Sequence, residues 1–298
     1  MKRDFKTVLF SPSLNFFANN FVKRWNLNLV QVTKNTNVNI FKDSEEPLIV
    51  VGCHFFKFGA SVKFKKILES HKGPQVFFMG GAGDTKAQNI EYVKNRNKRI
   101  PTYMLTQDDT SMKILEDAGM LHRPLYIPLK PYTAYKPIKL GNKIWFHVGF
   151  KDLPRVRKRY GYDTVVKSII EEFGRDRVGF IPLRMPSRGP KFLHQEYKKS
   201  FVYVKPNSNH GSTTMWELGR MGRRTICPGH SELNNVVQCK PGIVDGKNID
   251  NLIELIKKEE SRIGTIQPEV SEITRSYHLE NDSWMQLDFW KDFNNCKK

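Results

Sequence analysis

The stretch FVYVKPNSNHGSTTMWELGRMGRRTICPG, residues 201–229, decides the fold. Its opening residues are aromatic or β-branched and suit a strand. A loop of small polar residues follows, from Asn207 through His210, Gly211 and Ser212 to Thr213 and Thr214. TTMWELGRMG (213–222) then has helical spacing and stops at a glycine, and RTICPG (224–229) returns to strand character. Apolar strands without polar alternation, joined through a helix, read as a parallel sheet covered on both faces.

Ligands of such sheets collect beyond the carboxyl ends of the strands. The loop at 207–214 leaves one such end. Another is KIWFHVGF (143–150), where Gly149 closes the strand and Lys151, Arg155, Arg157, Lys158 and Arg159 follow. Free backbone N–H groups at a helix start bind phosphate, and nearby Lys and Arg add charge. The helix start here is flanked by His210, Gly211, Ser212, Thr213 and Thr214. Glu217 lies one turn further in, on an otherwise apolar stretch where an unpaired carboxylate is costly. A ribose diol would give it hydrogen-bond donors. The set describes a pocket for a nucleoside diphosphate.

The same alternation fills the rest of the chain. In the first half strands are expected at 6–12, 47–55, 74–84, 102–107 and 124–132, with helices at 15–25, 61–71 and 109–119. Asp109 reads as an N-cap and Gly119 as a helix stop. KPYTAYKPIKLGN (130–142) has two prolines and a glycine and reads as a linker, giving domains 1–135 and 136–298. In the second half strands are expected at 143–149, 177–184, 201–207 and 224–229, with GIVDG (242–246) strand-like. Helices are expected at 162–174, 213–222 and 249–263, and HLENDSWMQLDFWKDFNN (278–295) reads as an amphipathic helix rich in aromatic residues. Trp145, Trp216 and Trp284 read as packing residues and His54 as a turn residue.

No run of apolar residues is long enough to span a membrane. Ser11, Pro12, Ser13 and Asn15 interrupt the first apolar stretch too soon for a signal peptide. Cys53, Cys227, Cys239 and Cys296 are scattered without metal-ligand spacing. Reduced thiols and a cytoplasmic location are expected. The formal net charge is +19, spread over both halves, and such a field draws polyanions.

Two α/β domains, a linker and a C-terminal helix resemble the GT-B glycosyltransferases. LTQDDTSMKILEDAGMLHRPLYIPL (105–129) is similar to the last strand–helix–strand of a GT-B acceptor domain, and YVKPNSNHGSTTMWELGRMGRRTICPG (203–229) to the donor block. The resemblance implies two Rossmann-like domains facing a cleft, with the C-terminal helix packing back on the first. FKDLPR (150–155) and TTMWE (213–217) are also similar to segments of the T-even phage DNA β-glucosyltransferase family. That resemblance implies that Lys151 and Arg155 hold the donor phosphates and Glu217 the ribose. It maps the catalytic aspartate, just after the apolar strand of the first domain, onto Asp84. The family's arginine three residues before the glutamate is replaced here by Thr214, and Arg157 or Arg159 can supply its charge.

The implied activity is transfer of a sugar from a nucleotide-diphosphate donor, a UDP-sugar, to a hydroxyl acceptor, with neither metal nor other cofactor. Inverting transfer needs a base for the acceptor proton and positive charge for the leaving diphosphate. Retaining GT-B enzymes have two glutamates eight positions apart; here Glu217 stands with His210 seven positions before it, which favours inversion. Asp108 and Asp109 are rival bases that suit a helix start better. For the acceptor, KFGASVKFKK (57–66) and KAQNIEYVKNRNKR (86–99) are basic, and the second holds Lys94, Arg96, Lys98 and Arg99. Cations interleaved with Asn and Tyr suit a nucleic-acid backbone. A modified base of duplex DNA, flipped out to react, is the first acceptor, in a host cytoplasm if the protein is viral. A glycan, a lipid-linked saccharide, or a catalytically inactive protein that binds nucleic acid are the alternatives.

Overall fold

The computed structural model describes residues 7–10, 28–51, 60–79, 87–106, 109–120, 135–147, 161–181, 190–206, 213–228 and 236–277. The chain divides into two compact units, the first including Met1–Lys130 and the second spanning Pro131–His278. Each is built on its own five-stranded, all-parallel sheet.

In the first unit the strands are β1 (Thr7–Phe10), β2 (Asn28–Gln31), β3 (Leu48–Val51), β4 (Gln75–Met79) and β5 (Thr102–Thr106). Their order across the sheet is β2-β1-β3-β4-β5. Helices α1 (Ala60–Ser70) and α2 (Ala87–Asn97) make the crossovers from β3 to β4 and from β4 to β5, and α3 (Asp109–Asp117) follows β5. Every residue of β3 is buried, the mark of a strand covered on both faces. Leu48, Val50, Phe77 and Met104 of the sheet pack with Phe64, Ile67, Val93 and Leu115 of the helices. Asp109 is the first residue of α3 itself. The helix ends as its sequence predicts: Gly119 takes φ 66°, and the Met120 amide reaches back to Leu115 O at 2.9 Å.

The second unit has β6 (Lys143–His147), β7 (Val178–Ile181), β8 (Ser200–Val204), β9 (Arg224–Pro228) and β10 (Val236–Cys239). The order is β10-β9-β8-β6-β7. Its helices are α4 (Lys167–Phe173), entered through a wide turn at Tyr162–Val166, then α5 (Pro190–Lys198), α6 (Thr213–Arg220), α7 (Ile249–Glu260) and α8 (Pro268–Tyr277). Ile144, Phe146, Val202, Val204 and Ile226 form the sheet side of a core closed by Val165, Ile169, Leu252 and Ile256. Counted from its own first strand, each sheet has the order 2-1-3-4-5. Each therefore reverses its direction of growth between its first and third strands, β1/β3 and β6/β8.

Several elements differ from the sequence reading. GIVDG is not a strand. Gly242 (φ 93°) and Gly246 (φ 84°) take left-handed conformations on either side of a short 3₁₀ turn, which no extended strand can contain. The edge strand is instead Val236–Cys239. The segments at 87–97 and 190–198 are helices, and β2 and α8 are further elements the pattern did not reveal. The elements expected at 15–25, 124–132 and 278–295 lie outside the described residues.

A buried guanidinium ties the start of the second unit to its helices. Arg223 is fully buried and donates to Lys139 O at 2.9 Å, Ile138 O at 3.2 Å, Lys198 O at 3.4 Å and also to Met221 O. Burial lowers its pKa to about 10, so it stays charged at neutral pH. Arg223→Met takes that donor from the carbonyls of residues 138, 139 and 198. It should lower the unfolding free energy by about 3 kcal/mol, because buried acceptors that lose their partners carry a full desolvation penalty. Urea denaturation of the whole chain, followed by fluorescence, checks this. An unchanged midpoint would show that the cradle contributes nothing.

Candidate nucleotide site

β6 and β8 are the neighbours at the reversal point of the second sheet, with Phe146 opposite Val204. Their carboxyl ends therefore lie side by side. In an open parallel sheet this is the crevice where ligands bind. The chain leaves β6 into residues 148–160 and β8 into residues 207–212. The second of these segments delivers α6, which begins at Thr213. Gly149, Lys151, Arg155, Arg157, Arg159, His210, Gly211 and Ser212 all belong to these two connections. They lie outside the described residues, as does Asp84 in the first unit. Lys205, just past the end of β8, is a buried lysine whose backbone amide bonds to Ile226 O at 3.0 Å.

Helix α6 is buried along almost its whole length. Met215, Trp216 and Leu218 are apolar, but Thr214, Glu217 and Arg220 are polar and equally buried. Their i, i+3, i+6 spacing puts the three on one face. At that face the Tyr197 hydroxyl of α5 donates to Glu217 Oε2 at 2.8 Å. Tyr135 and Thr214 stand close to this pair and bear on its ionisation. The Tyr135 ring lies 6.1 Å from that of Tyr197 and 5.8 Å from His194. Burial pushes the Glu217 pKa up to about 7, and the two tyrosine hydroxyls oppose that rise. Burial and the neighbouring carboxylate hold the Tyr197 pKa well above its usual value. Tyr197 therefore remains a donor. A carboxylate has about four lone-pair sites, so the Tyr197 bond leaves Glu217 capacity for a ligand's hydroxyl groups. Sequence reasoning found Glu217 and Thr214 but missed Tyr135, Tyr197 and Lys205. The His194–Tyr197 spacing on a short amphipathic segment was the available signal for Tyr197.

The four basic residues of the first unit are brought together, but at a place the sequence did not suggest. α2 runs back from the carboxyl end of β4 to the amino end of β5. Lys94 and Arg96 lie in its last turn, and Lys98 and Arg99 just past it. Arg96 donates to His71 O at 2.5 Å and Gly73 O at 2.8 Å, immediately before β4. Lys98 donates to Asn95 at 3.1 Å. The quartet therefore sits at the amino-terminal edge of the first sheet, opposite its strand carboxyl ends.

Cys227 and Cys239 are buried free thiols, and burial raises the Cys239 pKa to about 12, which makes it a poor nucleophile. Among the described residues no three His, Cys, Asp or Glu side chains cluster as a metal site would require. No described helix is long and apolar enough to cross a membrane.

No protein-family model matches this chain, and no curated protein matches it in sequence. Solved structures do. A glycosyltransferase from Rickettsia africae ESF-5 superposes with a TM-score of 0.59 at 11% identity, over 98% of this chain and 99% of that one. T4 phage β-glucosyltransferase aligns with a TM-score of 0.49 at 12% identity, over 95% and 99%. The Rickettsia match spans both units. It establishes that the chain has the two-domain parallel α/β fold of a glycosyltransferase, as the GT-B resemblance implied.

The environment of Glu217 makes stability depend on pH in a definite sense. In the unfolded chain the carboxyl ionises near 4.5, and in the folded protein near 7. Between those values the folded state binds more protons, so raising the pH favours unfolding; above about 7 the effect is complete. Thermal melts of the wild type and Glu217→Gln across this range should show the wild type losing ground to the variant up to about pH 7, with a constant difference beyond. A difference independent of pH would mean that the carboxyl is solvated like any surface acid.

Proposed function

We propose that this protein transfers a sugar from a nucleotide-diphosphate donor, a UDP-sugar, to a hydroxyl group on a modified base of DNA, with inversion and without a divalent metal. The observation that carries the donor reading is the buried Glu217 carboxyl on a helix that opens from the reversal point of the second sheet, in a chain with a glycosyltransferase fold.

In this reading Glu217 accepts hydrogen bonds from the donor ribose. Backbone N–H groups from Gly211 to Thr214 at the start of α6 hold the diphosphate, with His210 and Ser212 beside them and Gly149 allowing close approach of the other connection. Lys151 and Arg155 supply charge as the bond between the anomeric carbon and the diphosphate oxygen breaks. Asp84 takes the proton of the acceptor hydroxyl as its oxygen attacks that carbon from the opposite face. The proton ends on the aspartate and the electron pair leaves with UDP. The cations carry out the task a metal performs elsewhere. The net charge of +19 supports a polyanionic acceptor.

The direct experiment offers a panel of nucleotide sugars with DNA bearing hydroxylated bases, and separately with oligosaccharides, and measures released UDP and labelled product. Transfer to DNA supports the proposal. Transfer to saccharide alone would replace its acceptor, and UDP binding without transfer to either would make the protein a binding module. Glu217→Ala should raise the UDP dissociation constant about tenfold in calorimetry, since a hydrogen bond to a charged group contributes about 1.5–3 kcal/mol. Asp84→Asn should keep UDP binding and lower transfer by roughly 10²–10⁴-fold. Near-native turnover in that variant would move the base elsewhere, with Asp108 and Asp109 next to test.

A further inference from the structure

We infer that the amino-terminal edge of the first sheet is a docking surface for the phosphate backbone of duplex DNA, built from Lys94 in the last turn of α2 and Lys98 and Arg99 just past it. Its position separates it from the ligand-binding ends of the strands in its own unit. It would therefore hold the polymer without taking part in chemistry. The inference borrows from the proposed function only the reason a DNA-modifying enzyme would need such a hold; binding itself requires no donor.

The turn is a built structure and not a loose run of charge. Arg96 is tied to His71 O and Gly73 O, which fixes the end of α2 against the entry to β4. The amides of Arg99 and Ile100 both donate to Arg96 O at 3.0 Å, and Asn97 Oδ1 accepts from the Thr102 amide of β5 at 2.9 Å. The side chains of Lys94, Lys98 and Arg99 project from this frame into solvent. On one side of Lys98 lies a hollow of about 230 Å³ lined by Lys94, Asn97 and Tyr103. On the other lies one of about 580 Å³ lined by Tyr92, Asn95, Arg99 and Glu69, the last paired with Lys65.

Charge accounting separates these cations from their neighbours. Lys65 pairs with Glu69 at 3.5 Å and Lys72 with Asp43 at 2.7 Å. Among the described residues no acid pairs with Lys94, Lys98 or Arg99. The simpler explanation, cations complementing the carboxyl end of a helix, serves Lys94 and Arg96, which lie in the last turn of α2. It does not serve Lys98 and Arg99, which lie beyond it. Cations beside asparagine amides match the donors that proteins aim at phosphate and sugar. A lipid surface would also attract the charge, but interfacial binding draws on exposed apolar side chains. The large exposed hydrophobics among the described residues are Ile40, Val62 and Ile266, none of which lines these hollows.

The test measures anisotropy of a fluorescent duplex of arbitrary sequence, across a salt series and without nucleotide sugar. It compares the wild-type chain, the triple variant K94E/K98E/R99E, and a control variant K167E/K247E/K258E. The control makes the same change in net charge at exposed lysines of the second unit. Each lost phosphate contact should lower the log–log salt slope by about 0.9, so the first triple variant should lose up to about 2.7 of slope, with the control close to wild type. UDP affinity should be equal in all three proteins, and equal melting temperatures would show that folding is intact. Equal losses in both variants, or no loss in the first, would overturn the inference. So would binding to phosphatidylserine vesicles that matches DNA binding and disappears in the same variant. If DNA binding behaves as expected while no nucleotide sugar is turned over, the docking surface stands and the proposed activity falls.

Discussion

A carboxyl group buried on an apolar helix is the constraint around which the second unit is arranged. Glu217 could not stay inside for nothing, because burial without partners penalises a carboxylate heavily. Its hydrogen-bond partner is Tyr197 of α5, and Tyr135, from the segment that leads into β6, packs beside that tyrosine with ring centres 6.1 Å apart. Holding the carboxyl thus fixes α5 and α6 against one another. The Arg223 cradle reinforces the same junction by binding carbonyls at residues 138, 139 and 198. The start of α6 is set by these contacts, and with it the direction in which its free N–H groups point.

The second consequence comes from topology. Both sheets follow the order 2-1-3-4-5, although no sequence repeat marks them. In each, the reversal point opens a crevice at the carboxyl ends of two adjacent strands. In the second unit those ends release the two segments richest in phosphate-binding character, the run from Lys151 to Arg159 and the small-residue loop before α6. The same topology returns α2 to the opposite edge of the first sheet. Residues that look in sequence like one basic loop among others therefore stand apart from the strand ends where chemistry would be expected.

Much of the architecture was legible because parallel strands buried on both faces have an unambiguous composition. LIVV, QVFFM and SFVYV admit little else, and glycines at positions 119 and 222 end their helices as their positive φ angles require. What escaped was short or weakly patterned. β2 is an edge strand of mixed polarity, α2 is interrupted by asparagines, a lysine and an arginine, and the glycines of GIVDG bend a segment whose apolar residues suggested extension. At the site, Glu217 was legible because an acid among apolar neighbours needs a reason. Its tyrosine neighbours were not, because contacts between α5, α6 and residue 135 exist only in the folded unit.

Hydrogen–deuterium exchange with and without UDP tests the central claim, that the ligand crevice lies where β6 and β8 end. The account predicts slowed exchange confined to peptides covering residues 148–160 and 205–217, with the amino-terminal edge of the first sheet unaffected. Protection that appears only in the first unit, or no protection at saturating UDP, would contradict it.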